Sequence, residues 1–347
     1  RPFNKREKDR KAGLIIDMDG ETGACSIFDP EDKDTVDNFA FDYCVWSHDH
    51  SKKFQGNHEV YELLGPLLLQ NVFDGYNSSI FAYGQTGSGK SYGMVGGNND
   101  PGIIPLTCAE LFRRTLKRTT PDLKFGVELS YLEIYNEKIR DLLNPTISPR
   151  KLKILEDKKQ GVYVQNLSKS VVSNYNEIAK YLEQGNKVRT IAKTNMNPNS
   201  SRSHAIAILY ITRIKSDPEA KKVYHTSCKI NMIDLAGSER AGSTGATGAR
   251  LKEGSNINKS LTCLGRVITA LAKRGKRKKK QFINYRDSKL TWILKDALGG
   301  NSKTIMLAAL SPADINYKET LSTLRFANNA KNIKNQVRKI VDPQEKL

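Results

Sequence analysis

A short run ending in aromatics, Ser78-Ser79-Ile80-Phe81-Ala82-Tyr83, leads directly into Gly84-Gln85-Thr86-Gly87-Ser88-Gly89-Lys90-Ser91. The second stretch fits Gly-x-x-x-x-Gly-Lys-Ser/Thr, a loop that cradles phosphate after a buried strand. Its glycines let the backbone curl until the N–H groups point inward at an anion. Lys90 adds a point charge for β- and γ-phosphates, and the Ser91 hydroxyl is a ligand for Mg²⁺. A plain Gly/Ser-rich turn would account for Gly-Lys-Ser alone, but not for the full pattern at the end of a strand. The stretch is therefore read as a nucleotide site built from Gln85, Thr86, Gly87, Ser88, Gly89, Lys90 and Ser91. A helix is expected from about Gly89, its dipole adding to the affinity for an anion.

Around this loop, strand and helix signals alternate. Short strands are expected at 14–18, 25–28 and 39–43, bounded by Asp19-Gly20 and Asp29-Pro30. Val60, Leu63, Leu64, Leu67 and Leu68 fall on one face of a helix over 57–71. A rigid turn at 101–105 leads into a helix over 106–117, then a long alternating strand over 125–136 and a short apolar piece at 139–143. Residues 151–169 are basic and loop-like, followed by a helix over 175–187. Strands are expected at 205–214, 229–233 and 304–310, and helices at 255–273, 288–298 and 317–331. The inner face of the helix over 255–273 is assigned to Ile257, Leu261, Leu264, Val267, Ile268 and Leu271. The Gly/Ser/Thr-rich stretch 236–254 is expected to hold no stable element. With no internal repeat, this order predicts a three-layer α/β/α sandwich on a mostly parallel central sheet.

Charge narrows the partners. The 347 residues carry 56 Lys and Arg against 37 Asp and Glu, a net charge of +19, which suits a polyanionic partner. No apolar run approaches a membrane span. The five cysteines (Cys25, Cys44, Cys108, Cys228 and Cys263) show no Cys-x-x-Cys spacing and fit buried, reduced thiols of a cytosolic protein. His48 and His50 beside Cys44 lack a second ligand pair and are read as loop residues rather than a metal site. Arg1-Pro2-Phe3 has neither an initiator Met nor a signal peptide, so the sequence is expected to start inside a longer one.

A phosphate loop alone does not sense the γ-phosphate; an acidic residue ending a neighbouring strand is needed to hold Mg²⁺ or its water. Asp234, after the apolar stretch 230–233 and before Leu-Ala-Gly, fits that position, with Gly237 offering an N–H to the γ-phosphate. A strand-ending Asp before a turn would be the plain reading, were it alone. It is accompanied by Asn197-Pro198-Asn199-Ser200-Ser201-Arg202-Ser203-His204 and by Asp234-Leu235-Ala236-Gly237-Ser238-Glu239. With Asn256-Ile257-Asn258-Lys259-Ser260-Leu261, Tyr285-Arg286-Asp287-Ser288-Lys289-Leu290-Thr291 and Thr320-Leu321-Ser322-Thr323-Leu324-Arg325-Phe326-Ala327, these motifs resemble a kinesin motor domain over nearly the whole chain. Phe41-Asp42-Tyr43, Trp46-Ser47-His48 and the segment from Ser311 to Tyr317 are most similar to the kinesin-3 group.

The resemblance implies a microtubule-stimulated ATPase that uses ATP and Mg²⁺ and leaves ADP. Ser91 and Ser201 would lie near the metal, with Asp234 acting through water. Asn197 and Ser200 would belong to the first switch loop and Gly237 to the second. Arg202 and Glu239 would close the site as an ion pair around the attacking water, a geometry that suits paired Arg–carboxylate contacts. Of the adenine-side Arg-x-Arg-Pro strand only Arg1-Pro2 is present, and these two are carried as cofactor contacts. Adenine is favoured because no Asn/Thr-Lys-x-Asp segment is present to read guanine.

Lys273-Arg274-Gly275-Lys276-Arg277-Lys278-Lys279-Lys280 places seven cations in eight positions, where kinesins meet the microtubule. A solvated charge run is the plain reading; acidic tubulin makes salt-sensitive attraction the sharper one. The helix before the run and the stretch Tyr285 to Leu290 complete this expected track surface. Nucleic acid is disfavoured, since no aromatics interleave the cations, and no membrane contact is expected. Residues 1–331 are assigned to the motor domain and 332–347 to a neck linker with Ile333, Val337, Ile340 and Val341 as docking side chains. Plus-end transport in the cytoplasm, on the microtubule cytoskeleton, follows by resemblance, and a stalk outside this chain would permit a homodimer. The alternatives are a depolymerising kinesin, whose Lys-Val-Asp triplet is missing here, and a kinesin-like protein that binds microtubules without cycling.

Overall fold

The computed structural model describes residues 1–342 apart from Lys33, Asn98, 158–159, 195–201, Ala220, 240–248 and 275–281; for 191–194 and 249–258 it describes the backbone alone. The strand Ser78–Tyr83 is buried at every position because it lies inside the sheet with a layer of helices on each face. Its side chains alternate between those layers. Ile80 and Ala82 join one apolar cluster with Val60, Leu64 and Leu68 of the helix Asn57–Phe73 and Leu111 of the helix Ile103–Arg118. Phe81 and Tyr83 join the other with Leu264 and Val267 of the helix Ala249–Arg274. Tyr83 stacks on Phe326 of the helix Tyr317–Lys331, ring centroids 3.8 Å apart. A strand buried on both faces has no polar side to show, which is why the sequence displays a continuous run rather than alternation.

The main sheet has seven strands, running in space Ser170–Val171, Leu123–Tyr135, His204–Asp217, Lys222–Asp234, Ser78–Tyr83 and Lys303–Ala308, with Lys138–Asp141 folded back on Leu123–Tyr135. The three-layer architecture is as expected, but the sheet is mixed rather than mostly parallel. Only Ser78–Tyr83 is parallel to its neighbours on both sides; the remaining pairings are antiparallel. The reason is local. Residues 218–221 are too short a connection for a crossover helix, so His204–Asp217 and Lys222–Asp234 must form a hairpin.

A separate three-stranded meander, Ile16–Met18, Ala24–Phe28 and Val36–Ala40, packs Ile16, Ile27 and Trp46 against Leu321 and Leu324. Its third strand ends at Ala40, before the expected 39–43 stretch is complete. On the helix Asn57–Phe73, Leu67 faces outward and Leu69 and Val72 take the burial assigned to it. The helix Ile103–Arg118 absorbs Pro105 into its first turn, where a missing N–H costs nothing. The basic stretch after residue 151 holds a hairpin, Ile154–Asp157 with Gly161–Val164, whose buried Ile154 and Val162 are apolar islands among cations. Residues 249–254, expected to hold no stable element, are helical, since Ala249 to Glu253 are strong helix formers and Gly254 alone is not. All five cysteines are buried free thiols, and among the described residues no helix is long and apolar enough to cross a membrane.

The chain ends are tied to this body by polar contacts. Asn335 accepts from the Gly299 amide at 2.8 Å and donates to Ser302 O at 2.6 Å, and Ile340 N donates to Gly75 O at 2.8 Å. Ile333 and Ile340 pack against the two main clusters. At the other end, Glu7 is 1% exposed and accepts from both Arg1 Nη atoms at 2.6 Å, Asn4 N at 2.8 Å, and Ser311 Oγ and Asn316 Nδ2 at 2.9 Å. Burial alone would raise this carboxyl, but the Arg1, Asn4 and Ser311 hydrogen bonds together hold it below its ordinary 4.5. Glu7→Gln is expected to lower unfolding stability by about 3 kcal/mol at neutral pH, since it removes the charge from a buried, paired site. A depressed folded-state value means that this contribution is complete above the unfolded carboxyl's 4.5 and is lost as pH falls through the lower folded value. Urea unfolding of both proteins across that range checks it; a gap that stays constant in acid contradicts the assignment.

Candidate functional site

The parallel register sets the site. Pairing Asp234 with Ala82 delivers the acidic strand end to the start of the loop. Gly84 has φ +151°, and a Cβ there would lie 2.2 Å from Ala309 O, so no side chain fits. Gly89, with φ +104° and open space around it, is required for its backbone conformation alone. The helix that follows, Lys90–Met94, has only five residues. It is too short for the expected macrodipole, and anion affinity falls to the loop amides and Lys90 instead.

Lys90 is 6% exposed and donates to Gly84 O and Gln85 O, both at 2.8 Å. Burial lowers the pKa of its ammonium, against the pull of Asp234 and Glu239. Ser91 Oγ donates to Asp234 Oδ2 at 2.6 Å, while Asp234 Oδ1 is buried with no hydrogen-bond partner among the described residues. A buried carboxylate oxygen without a donor is costly, and a hydrated divalent cation is the kind of group that satisfies it. Asp234 and Ser91 therefore fit Mg²⁺.

The segment after Asp234 folds back over the loop. Ser238 N donates to Gly84 O at 3.0 Å. Thr86 N donates to Glu239 Oε2 at 2.8 Å, and the Thr86 hydroxyl donates to Glu239 Oε1. The amide of Thr86 thus already holds a carboxylate oxygen, the kind of acceptor that a phosphate oxygen would replace. Gly237 lies between them: a Cβ there would be 2.3 Å from both Glu239 Oε2 and Thr86 Oγ1. Gly237, Glu239, Asp234 and the loop are thus brought together, with the Glu239 carboxylate on Thr86.

Arg202 is half-buried in a tight turn just before the strand His204–Asp217. Asn197, Ser200 and Ser201 lie outside the described residues. The Arg1 guanidinium pairs with Glu7 and Ser311, and Pro2 is exposed. The N-terminal segment still borders the loop, with Asn4 Nδ2 4.0 Å from where a Cβ of Gly87 would stand. Behind the loop is a residue to which the sequence reading gave no role. His204 is fully buried, accepts from Ala236 N through Nδ1 at 3.0 Å and contacts Ser260 Oγ through Nε2 at 2.8 Å. Burial, then repulsion from Arg189 and Lys90, pushes its pKa down to about 3, so the ring is neutral at physiological pH. The signal was its place at the head of a buried apolar strand, where a histidine needs partners on both nitrogens.

At the far end of the helix Ala249–Arg274 stand Lys273 and Arg274; the run 276–280 lies outside the described residues. The turn Tyr285–Asp287 adjoins it, with Tyr285 donating to Leu298 O at 2.6 Å and Ser288 capping the helix Lys289–Ile293.

Comparison with known proteins matches this geometry. A family model described as the kinesin motor domain matches residues 1–333. Kinesin-like protein KIF1B of Rattus norvegicus is 50% identical over 359 residues, covering 100% of this chain and 20% of that protein. Kinesin-like protein KIF13B of Homo sapiens is 50% identical over 363 residues, covering 100% of this chain and 19% of that protein. The chain thus spans about a fifth of the length of these curated relatives. The solved structure of the KIF14 dimer in its two-heads-bound state, with AMP-PNP and in complex with a microtubule, superposes with a TM-score of 0.89. The two share 45% identity over 98% of this chain and 94% of that one.

The Lys90 contacts separate function from stability. Both carbonyls that it serves have a second donor, Ser238 N for Gly84 O and Ser88 N for Gln85 O. Lys90→Met is therefore expected to melt at or above the wild-type temperature while binding a fluorescent ATP analogue at least about 10-fold more weakly. A clear fall in melting temperature, or unchanged affinity, contradicts this.

Proposed function

Because the chain belongs to the kinesin motor domain family, we propose that it is an ATP-driven microtubule motor of the kinesin-3 type. The observation that carries the reading is the convergence of separated segments on one loop: Ser91 on Asp234, Ser238 on Gly84 and Thr86 on Glu239. Such a site is occupied by different protein groups before and after a terminal phosphoryl group is present, so it senses that group.

The amides of residues 85–91 and Lys90 bind the β- and γ-phosphates of ATP. Ser91, Ser201 and, through water, Asp234 hold Mg²⁺, which neutralises phosphate charge when bound. Arrival of the γ-phosphate displaces Glu239 from Thr86, and Gly237 offers its N–H to the phosphate. Glu239 then pairs with Arg202 and, with Asn197 and Ser200 of the first switch loop, encloses the attacking water. After cleavage and phosphate release the carboxylate returns to Thr86, and ADP remains. Arg1 and Pro2 border the base side of the pocket.

The basic run from Lys273 to Lys280, the helix before it and the stretch Tyr285 to Leu290 face the acidic microtubule surface. Residues 332–347 act as the neck linker of a motor domain formed by 1–331, with Ile333 and Ile340 docking it to the body. The expected setting is the cytoplasm, on microtubules, with transport toward the plus end. A second copy joined through a stalk is the expected oligomer, and neither nucleic acid nor membrane is a partner of this domain.

Microtubules should stimulate ATP turnover, and surface-bound motor should glide filaments without shortening them. A turnover rate that is flat on adding microtubules, or filament shortening without transport, contradicts the reading. Arg202→Ala is expected to keep nucleotide affinity within a few fold and to lose at least about 100-fold in stimulated turnover, the scale of a missing transition-state contact. Near-normal stimulated hydrolysis by that variant contradicts the ion-pair step.

A further inference from the structure

Three elements meet at one imidazole. His204 opens the strand His204–Asp217; Ala236 directly precedes Gly237; Ser260 lies on the inner side of the helix Ala249–Arg274 and is 2% exposed. Because Nδ1 accepts the Ala236 amide proton, it carries none itself, and the ring proton sits on Nε2. That N–H points at Ser260 Oγ, which accepts it at 2.8 Å. One rigid ring therefore spans from the backbone beside the phosphate-sensing glycine to the helix. Leu261, Leu264, Val267, Ile268 and Leu271 of the same helix pack into the apolar cluster. Apolar packing resists separation but is non-directional and tolerates small sliding. A hydrogen bond between buried groups is directional and is costly to leave unmade.

We infer that His204 is a positioning residue that ties the helix leading to the basic run to the amide preceding Gly237, so that movement of one is felt by the other. The inference rests on the functional reading above and adds the connection by which phosphate state and track affinity are coupled. An imidazolium would break it, since both nitrogens would then donate and the Ala236 amide would lose its acceptor.

The test uses Ser260→Ala, which cuts the helix arm, and His204→Asn, whose side-chain oxygen keeps an acceptor for Ala236 while dropping that arm. Affinity for a fluorescent ADP analogue and basal turnover are expected to stay within about 2-fold of wild type, while the stimulation ratio on adding microtubules falls roughly 10-fold, within the usual range of a coupling free energy. The double variant should lose no more than either single one, because both cut the same bond. Melting temperatures show whether each variant folds; if His204→Asn does not, Ser260→Ala alone decides. A stimulation ratio that survives in folded variants overturns the inference, as does one that falls only in proportion to nucleotide affinity. A wild-type chain that microtubules fail to stimulate refutes the functional reading itself, a result visible before any variant is made.

Discussion

The structure depends on one pairing: Ser78–Tyr83 hydrogen-bonded in parallel to a strand on each side and covered by helices on both faces. A parallel strand carries its C-terminal end to the same edge as those of its neighbours. Asp234 and Ala309 therefore emerge beside Gly84. The loop has nowhere to go but over that edge, and its carbonyls and amides are met there by residues 234–239. Burial of Ile80, Phe81, Ala82 and Tyr83 in two opposed clusters holds the edge still. The site inherits its precision from that burial, because a strand packed on both sides cannot slip by one residue without turning every side chain into the wrong layer.

Around this edge the protein accepts groups that cost it stability. Lys90 is a buried ammonium, Asp234 keeps a buried oxygen without a donor among the described residues, and His204 is a buried neutral ring held between two elements. Glu7 contrasts with these: its buried carboxylate accepts from Arg1, Asn4, Ser311 and Asn316. Among the described residues, Gln85 Oε1, Ser88 Oγ and Asp234 Oδ1 are buried polar atoms without partners around the loop, although such atoms also occur elsewhere, as at Arg1 Nε and Trp292 Nε1. Glu239 gives the site its two-way character. Its carboxylate sits on the Thr86 amide that a phosphate oxygen would claim, so protein and ligand compete for one donor.

Much of this was legible in the sequence, for identifiable reasons. The phosphate loop shows because its residue types are dictated by backbone geometry and charge, and the helix Tyr317–Lys331 because its apolar residues fall on one face. Strand direction is not written in composition, and the phosphate-loop pattern suggested a more parallel sheet than the hairpin His204–Asp217 and Lys222–Asp234 allows. Those strands also outrun their apolar cores. Arg213, Lys215 and Val223 sit on the partly exposed outer half, where backbone pairing continues after hydrophobic patterning stops. The pairing of Arg1 with Glu7 was not legible either, because it answers a buried carboxylate that needs a bidentate partner, and burial is not written in the local pattern. His204 stood inside a recognised motif, yet its two partners are 32 and 56 residues away, and no local pattern reports contacts of that range.

On this reading Glu239 and a phosphate hold one loop amide in turn. A crystal structure with a non-hydrolysable ATP analogue and Mg²⁺ tests it most directly. Phosphate oxygens are expected on the Thr86 amide and Lys90, with Asp234 turned toward the metal's water and the Glu239 carboxylate moved off Thr86 toward Arg202. A triphosphate bound in the loop with Glu239 still on Thr86, or bound away from Lys90 altogether, would contradict it.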